Sequence, residues 1–179
     1  MTAKKISIPL LFGLIAALCS ILFVCGAWLA GPAAFIGPSV WLSRCIVLLL
    51  AAVAAAVEKR AGGGIMDFRS ALKIAYGVLV LSILAQSLMV WLIPNVFDPH
   101  FYQRLVPIMA ANTEKSYRQF GATDDQLRGA LADIQTNNQF SLGRVLSGTG
   151  YLLVLFFIIA ALIAVTIKSK KVPTPKPES

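Results

Sequence analysis

Hydrophobic residues fall in four long, charge-poor runs along the chain, at 6–30, 38–57, 74–93 and 145–167. A helix needs about 20 consecutive apolar residues to cross the hydrocarbon core of a bilayer, and each run reaches that length. The runs are apolar all round, whereas the helix of a soluble bundle keeps a polar outer face. The pattern predicts four membrane-spanning helices, since within lipid each backbone group must find its partner inside its own helix.

The breaks between the runs differ in kind. The first, at 31–38, is short and rich in glycine and proline, so spans 1 and 2 are expected to form an antiparallel hairpin. Span 2 ends in Ala51-Ala52-Val53-Ala54-Ala55-Ala56. Small residues four apart let helix backbones approach closely where lipid supplies no hydrophobic drive, so this half of span 2 reads as a packing face. The second break, at 58–73, holds Gly62-Gly63-Gly64. Three glycines beside basic residues suggest a phosphate cradle, but no Gly-Lys-Ser/Thr follows and no strand precedes, so a P-loop is excluded. The glycines then read as a turn. An interfacial lead follows, in which Ile65, Met66, Phe68 and Leu72 mix with Asp67, Arg69 and Lys73. Span 3 carries Gln86 near Ser82 and Ser87, an amide expected to hydrogen-bond a neighbouring helix. Pro94 closes the span.

The third break, at 95–144, is the sizeable polar segment. Asp98-Pro99 reads as a helix start, with Asp98 as N-cap and Pro99 at the first helical position. That helix is expected to run to Phe120, to kink at Pro107 and to stop at Gly121. Thr123-Asp124-Asp125-Gln126 is a capping box that opens a second helix, and Asn137-Asn138 ends it. Apolar residues lie on one side of both (Phe101, Leu105, Ile108 and Met109; then Leu127, Leu131 and Ile134). The segment is an amphipathic helical pair, either lying on the lipid or folded over the bundle.

Composition agrees and charge adds an orientation. Of 179 residues, 58% are hydrophobic and 13% charged, against roughly 45–50% and 25% in soluble domains. The mean hydropathy is +0.77. The formal net charge is +8, yet it does not form a nucleic-acid face. Lys4 and Lys5, then Lys59, Arg60, Arg69 and Lys73, then Lys168, Lys170, Lys171 and Lys176 flank the spans on one side only. Arg104, Lys115, Arg118, Arg128 and Arg144 share the third break with five acids and cancel them. The positive-inside rule then places both termini and the second break in the cytoplasm. Trp28, Trp41 and Trp91 fall at the opposite ends of their spans, where an outer aromatic belt is expected. A basic rim would also attract anionic lipid headgroups.

Candidate chemistry is sparse. Cys19, Cys25 and Cys45 show no metal spacing. Cys25 and Cys45 lie at similar depth, so a disulfide is conceivable, although small apolar side chains are the simpler reading. Lys4-Lys5 before an apolar run imitates a signal peptide, but the run is too long and lacks a small-x-small cleavage site, so span 1 is expected to stay. All eight acids lie outside the spans, which argues against a proton- or sodium-coupled transporter. The sole histidine, His100, lies in the third break, so a His-based triad or an H-E-x-x-H metal site is excluded. Arg44 is the one ionisable residue inside a span. It either snorkels to the outer interface or pairs with Asp98 and locks the outer helices to the bundle.

From Gly63 onward the residues carry a resemblance. Gly63-Gly64-Ile65-Met66-Asp67-Phe68-Arg69-Ser70-Ala71-Leu72-Lys73 opens a span. Ile93-Pro94-Asn95-Val96-Phe97-Asp98-Pro99-His100-Phe101 follows it, then a charged amphipathic segment and a last span ending in Lys168, Lys170 and Lys171. This resembles the bacterial four-span membrane family known as domain of unknown function four-one-nine-nine. The resemblance implies an integral inner-membrane protein and brings no catalytic or binding residues with it.

The expected fold is all-α. It is an integral-membrane four-helix transmembrane bundle with an amphipathic helical pair in the outer connection. One domain spans 1–171, and a disordered cytoplasmic tail follows at 172–179. The expected role is a non-enzymatic accessory or scaffold subunit without a cofactor. Its partners are the lipid bilayer and a membrane protein or further copies of itself, and not nucleic acid. A small oligomeric transporter or channel, with a polar seam around Gln86 and Arg44, is the alternative. Arg44, Asp98 and Gln86 are the residues to watch.

Overall fold

The computed structural model describes residues 7–37 and 39–169. Among these residues the chain folds into helices and turns, with no strand. Four helices are long and apolar enough to cross a membrane: α1 (Ile8–Ala30), α3 (Ser39–Ala61), α4 (Phe68–Leu92) and α7 (Leu142–Ile167). Only 17–28% of each apolar window is buried inside the protein, so most of the helix surface is left to lipid. Leu18, Leu22, Leu49, Val154 and Leu162 all point outward. The chain is therefore an all-α, multi-pass membrane bundle.

Three shorter helices crowd one end of it: α2 (Pro32–Phe35), α5 (Phe101–Gln119) and α6 (Asp124–Thr136). This is termed the cap end. Lys59, Arg60, Arg69 and Lys73 lie at the other, basic end. The central helix is α4, which packs on α1, α3 and α7. The first two spans do run as a hairpin, but α1 rests chiefly on α4, and α3 meets α7 along a short stretch.

Small residues set these approaches. Each spanning helix buries a pair of them four positions apart: Ala16 and Ser20, Ala51 and Ala55, Ala71 and Ala75, Ala160 and Ala164, all at 0% exposure. Close backbone contact and dispersion replace the hydrophobic drive that lipid withholds. A Cβ added at Gly13 would stand 2.5 Å from Leu81 Cδ1, so α1 leaves no room there for a larger residue against α4. A polar contact in this layer joins Ser20 and Ser82, whose oxygens lie 2.8 Å apart. Ser20 gives its proton to the Ala16 carbonyl at 2.9 Å, so Ser82 must donate to Ser20.

At the basic end the α3–α4 turn is clasped to the end of α7. Lys59 donates to the Ile167 carbonyl at 2.6 Å, a cation meeting the exposed carbonyls of a helix C-terminus. The Ser169 amide donates to the Met66 carbonyl at 2.9 Å, and its hydroxyl donates to the Gly64 carbonyl at 2.9 Å. Gly63 and Gly64 hold φ of 79° and 83°, values that side chains rarely tolerate and glycine adopts freely.

Several boundaries differ from the hydropathy reading, for physical reasons. Helix α3 continues through the polar residues Glu58, Lys59 and Arg60 to Ala61, because charged side chains end an apolar run without ending a helix. The interfacial lead is likewise part of α4 from Phe68 onward: the Asp67 carboxylate accepts from the Ser70 amide at 3.1 Å and caps it. Pro94 does not close span 3. Residues Ile93–Phe97 form a π turn, with the Asp98 amide bonded to the Ile93 carbonyl five residues back at 2.8 Å. A proline lacks an N–H and clashes with the regular ladder, and the wider turn absorbs both faults. Helix α5 therefore starts at Phe101, two residues past the expected Pro99, and Asp98 ends the π turn. The Thr123–Gln126 capping box forms as expected, with both reciprocal bonds. Gly121 takes φ of 69° between α5 and α6. The expected tail at 172–179, Ile6 of span 1 and Pro38 of span 2 lie outside the described residues.

Candidate functional site

The cap is built on its own small core. Phe35 of α2 meets Phe101 of α5 edge to face, with centroids 5.0 Å apart and planes at 84°. Val24, Ile93 and Leu105 complete the buried set. Phe140, in the α6–α7 connection, stands edge-on to both Phe35 and Tyr102, each at 6.1 Å. The outer pair is thus folded over the bundle through α5.

The α6–α7 connection is pinned by side chains. Asn95 donates to the carbonyls of Trp91 at 2.8 Å and Phe140 at 3.0 Å. The Tyr102 hydroxyl lies 2.8 Å from the Ile134 carbonyl and 2.7 Å from the Asn137 carbonyl, offering one proton to both. Arg144, at the start of α7, grips the Asp133 carboxylate with two nitrogens at 2.7 and 2.9 Å. It also donates to Gln139 Oε1 at 2.6 Å, while Gln139 returns its amide to Asp133 Oδ2 at 3.1 Å.

This arrangement holds the Asp133 carboxyl at about 2, below its usual 3.8, through Arg144 first and then Asn137 and Gln139. A depressed carboxylate contributes stability fully above its unfolded value, and the contribution is lost as pH falls through the folded one. The cap should therefore loosen between about pH 4 and pH 2. The thermal midpoint of the native chain should fall across that window. Asp133→Asn should start lower at pH 5 and then change less. An equal acid response in both proteins would remove Asp133 from that role.

Beneath the pinned connection lies a cavity of about 280 Å³. Its walls under the cap are apolar: Val24 and Ala27 of α1, Phe35 of α2 and Ile36 just after it, Val90 of α4, and Phe140. Its deeper part is polar and is assembled from three spans. Arg44 comes from α3, Gln86 and Ser87 from α4, and Thr149 from α7, with Gln139 reaching in from the connection. Thr149 Oγ1 is 2.7 Å from Ser87 Oγ and 2.7 Å from the Val145 carbonyl. Thr149 is the donor toward both and shares its one proton between Ser87 Oγ and the carbonyl.

The two intramembrane residues singled out from sequence, Arg44 and Gln86, therefore meet at one cavity, and Asp98 does not join them. The Arg44–Asp98 pair does not form: Asp98 pairs with Arg104, six residues away and reachable within its own turn. The Arg44 guanidinium sits over the Trp41 ring at 5.0 Å, a cation–π contact one turn back on the same helix. Among the described residues neither Arg44 in any ion pair nor Gln86 in any hydrogen bond is satisfied by the protein.

Below the cavity the described side chains draw together. A second void of about 10 Å³ continues it past Ser82 and Gln86, room for one water at most. Leu79, Ile83 and Phe156 close it there, at 0%, 5% and 6% exposure, and the alanine layer follows. Among the described residues the cavity lining contains no carboxylate, histidine or cysteine. The three cysteines are free thiols, and the conceived Cys25–Cys45 disulfide is not formed. Among the described residues no three His, Cys, Asp or Glu side chains come together as a metal site.

These features define a four-span helical membrane bundle with a cavity lined by Arg44 at its cap end. The chain belongs to the family described as Protein of unknown function (DUF4199), which matches it over residues 11–169. No curated protein and no solved structure matches it.

Proposed function

We propose that this chain is a non-enzymatic accessory subunit of the bacterial cytoplasmic membrane, with the capped cavity as its working part. The observation that carries the reading is the cavity itself: it has room for a small ligand, and among the described residues its lining holds no carboxylate, histidine or cysteine. The transporter alternative needs a continuous polar route, and the layer of Leu79, Ile83, Phe156 and small residues interrupts it within one chain. The basic end faces the cytoplasm, as the lysine and arginine asymmetry requires. The partners are the bilayer and another membrane protein, met through the broad apolar outer faces of α1 and α7.

Two measurements test this. Solubilisation in mild detergent followed by native mass spectrometry should find a stoichiometric companion protein. A chain that emerges as a homo-oligomer and conducts solutes in liposomes would overturn the accessory reading in favour of transport. For orientation, a membrane-impermeant maleimide should label Glu114→Cys in α5 on intact cells and leave Arg60→Cys unlabelled. The reverse pattern would invert the topology.

A further inference from the structure

We infer that the cap-end cavity binds a small apolar molecule carrying one anionic group, a carboxylate or phosphate, and that Arg44 is the counter-charge. This rests on the binding role proposed above and names its ligand class.

The argument starts from charge. A charged side chain within a membrane-spanning helix is costly to leave unpaired, and Arg44 stands in the second turn of α3. Such residues face the interior and take a partner. Here Arg44 lines the cavity, the ion pairs of the described residues involve other arginines, and no acid lines the cavity with it. Its aromatic neighbour Trp41 covers one side of the guanidinium and leaves the in-plane donors available. Those donors form a fork that matches a carboxylate or phosphate.

The second observation concerns the neighbouring dipoles. The Gln86 amide, unsatisfied among the described residues, shares the cavity with Arg44. An N–H₂ from Gln86 and the guanidinium together supply donors from two different helices to one anionic head. The remaining walls fix the rest of the ligand. Val24, Ala27, Phe35, Ile36 and Val90 provide apolar surface on the cap side of the polar cluster. At about 280 Å³, the space lies just below the roughly 300–1,000 Å³ usual for small-molecule sites. It suits a single short chain or ring system, and a two-chain lipid would not enter whole.

The test uses the full chain in nanodiscs of zwitterionic phosphatidylcholine, with binding read by native mass spectrometry and by Trp fluorescence. The probes are decanoate, decanol and a single-chain lysophosphatidylglycerol. The native protein should bind an anionic probe at least tenfold more tightly than decanol. Arg44→Gln should lose that preference while still binding decanol, and Arg44→Lys should restore part of it. Gly148→Val, at a wall position where an added Cβ meets nothing within 4 Å, should weaken all binding by filling the space. Preference for decanoate would assign a free carboxylate, and preference for the lysolipid would assign a lipid-borne phosphate. Equal affinity for decanol and both anions, or unchanged selectivity in Arg44→Gln, overturns the inference. A chain that ignores both anions yet retains a stoichiometric companion would sink the ligand and leave the accessory reading standing.

Discussion

Replacing Phe101 by alanine should unseat the helical cap and leave the four spans assembled. Phe101 is 1% exposed. It ties α5 to α2 through the edge-to-face pair with Phe35 and shares its core with Ile93 and Leu105. The cap lies against polar surroundings, so the ordinary hydrophobic effect applies there, unlike in the span interfaces. Truncating a buried phenylalanine to alanine costs about 3–5 kcal/mol, and the lost aromatic pair is part of that loss. The small cap core cannot absorb such a change, because α6 reaches the rest of the protein chiefly through α5. Amide hydrogen exchange should show α5 and α6 losing protection while α1, α3, α4 and α7 keep theirs. Phe101→Leu should retain most of it, since near-volume swaps cost less than about 1.5 kcal/mol. Protection in α5 unchanged by Phe101→Ala would mean that the cap is held by something other than this core.

That separation between cap and spans explains what the sequence made legible. The spans were readable because a 20-residue apolar run has few other uses, and the Ala51–Ala56 run announced its packing face by density alone. The capping box at Thr123 was readable because its two bonds are local. The matching pairs at Ala16 and Ser20, Ala71 and Ala75, and Ala160 and Ala164 were not. Each is two small residues among many apolar ones, and only the partner helix distinguishes the buried face from the lipid face. The central place of α4 was hidden for the same reason.

The site divides along the same line. Arg44 and Gln86 stood out because ionisable and amide groups are costly at membrane depth. Their meeting at one cavity depends on the angular setting of α3 against α4, which no local pattern encodes. Ser87 was noted only beside Gln86 and Thr149 went unnoticed, because hydroxyls in spans commonly bond back to their own helix; Gln139 went unnoticed because it lies in a connection whose path no local pattern encodes. The Arg44–Asp98 pairing failed because Arg104 is nearer in sequence and reaches Asp98 within its own turn. The π turn at Ile93–Phe97 was not foreseen: Pro94 read as the end of the span, because a proline announces a break in the ladder without announcing a wider turn that continues it.

Enlarging Ala75 to leucine should be the most damaging single change within the spans. Ala75 lies at 0% exposure on α4, the helix that every other span packs against. It belongs to the same core as Ala51, Ala54 and Ala160, so the added isopropyl group has no void to enter. Overpacking a filled core costs about 1–3 kcal/mol. In a membrane bundle the cost recurs along the interface, because pushing one pair of backbones apart forfeits the dispersion contacts of its neighbours. Leu18→Ala on α1 is the proper control. Leu18 is 56% exposed, toward lipid, and its truncation exchanges one apolar surface for another. Unfolding in increasing mole fractions of sodium dodecyl sulfate should show Ala75→Leu with a clearly lowered midpoint and Leu18→Ala near the native value. Equal midpoints would mean that the α4 interfaces yield without loss, and the small-residue faces would then not be what fixes the spacing of the bundle.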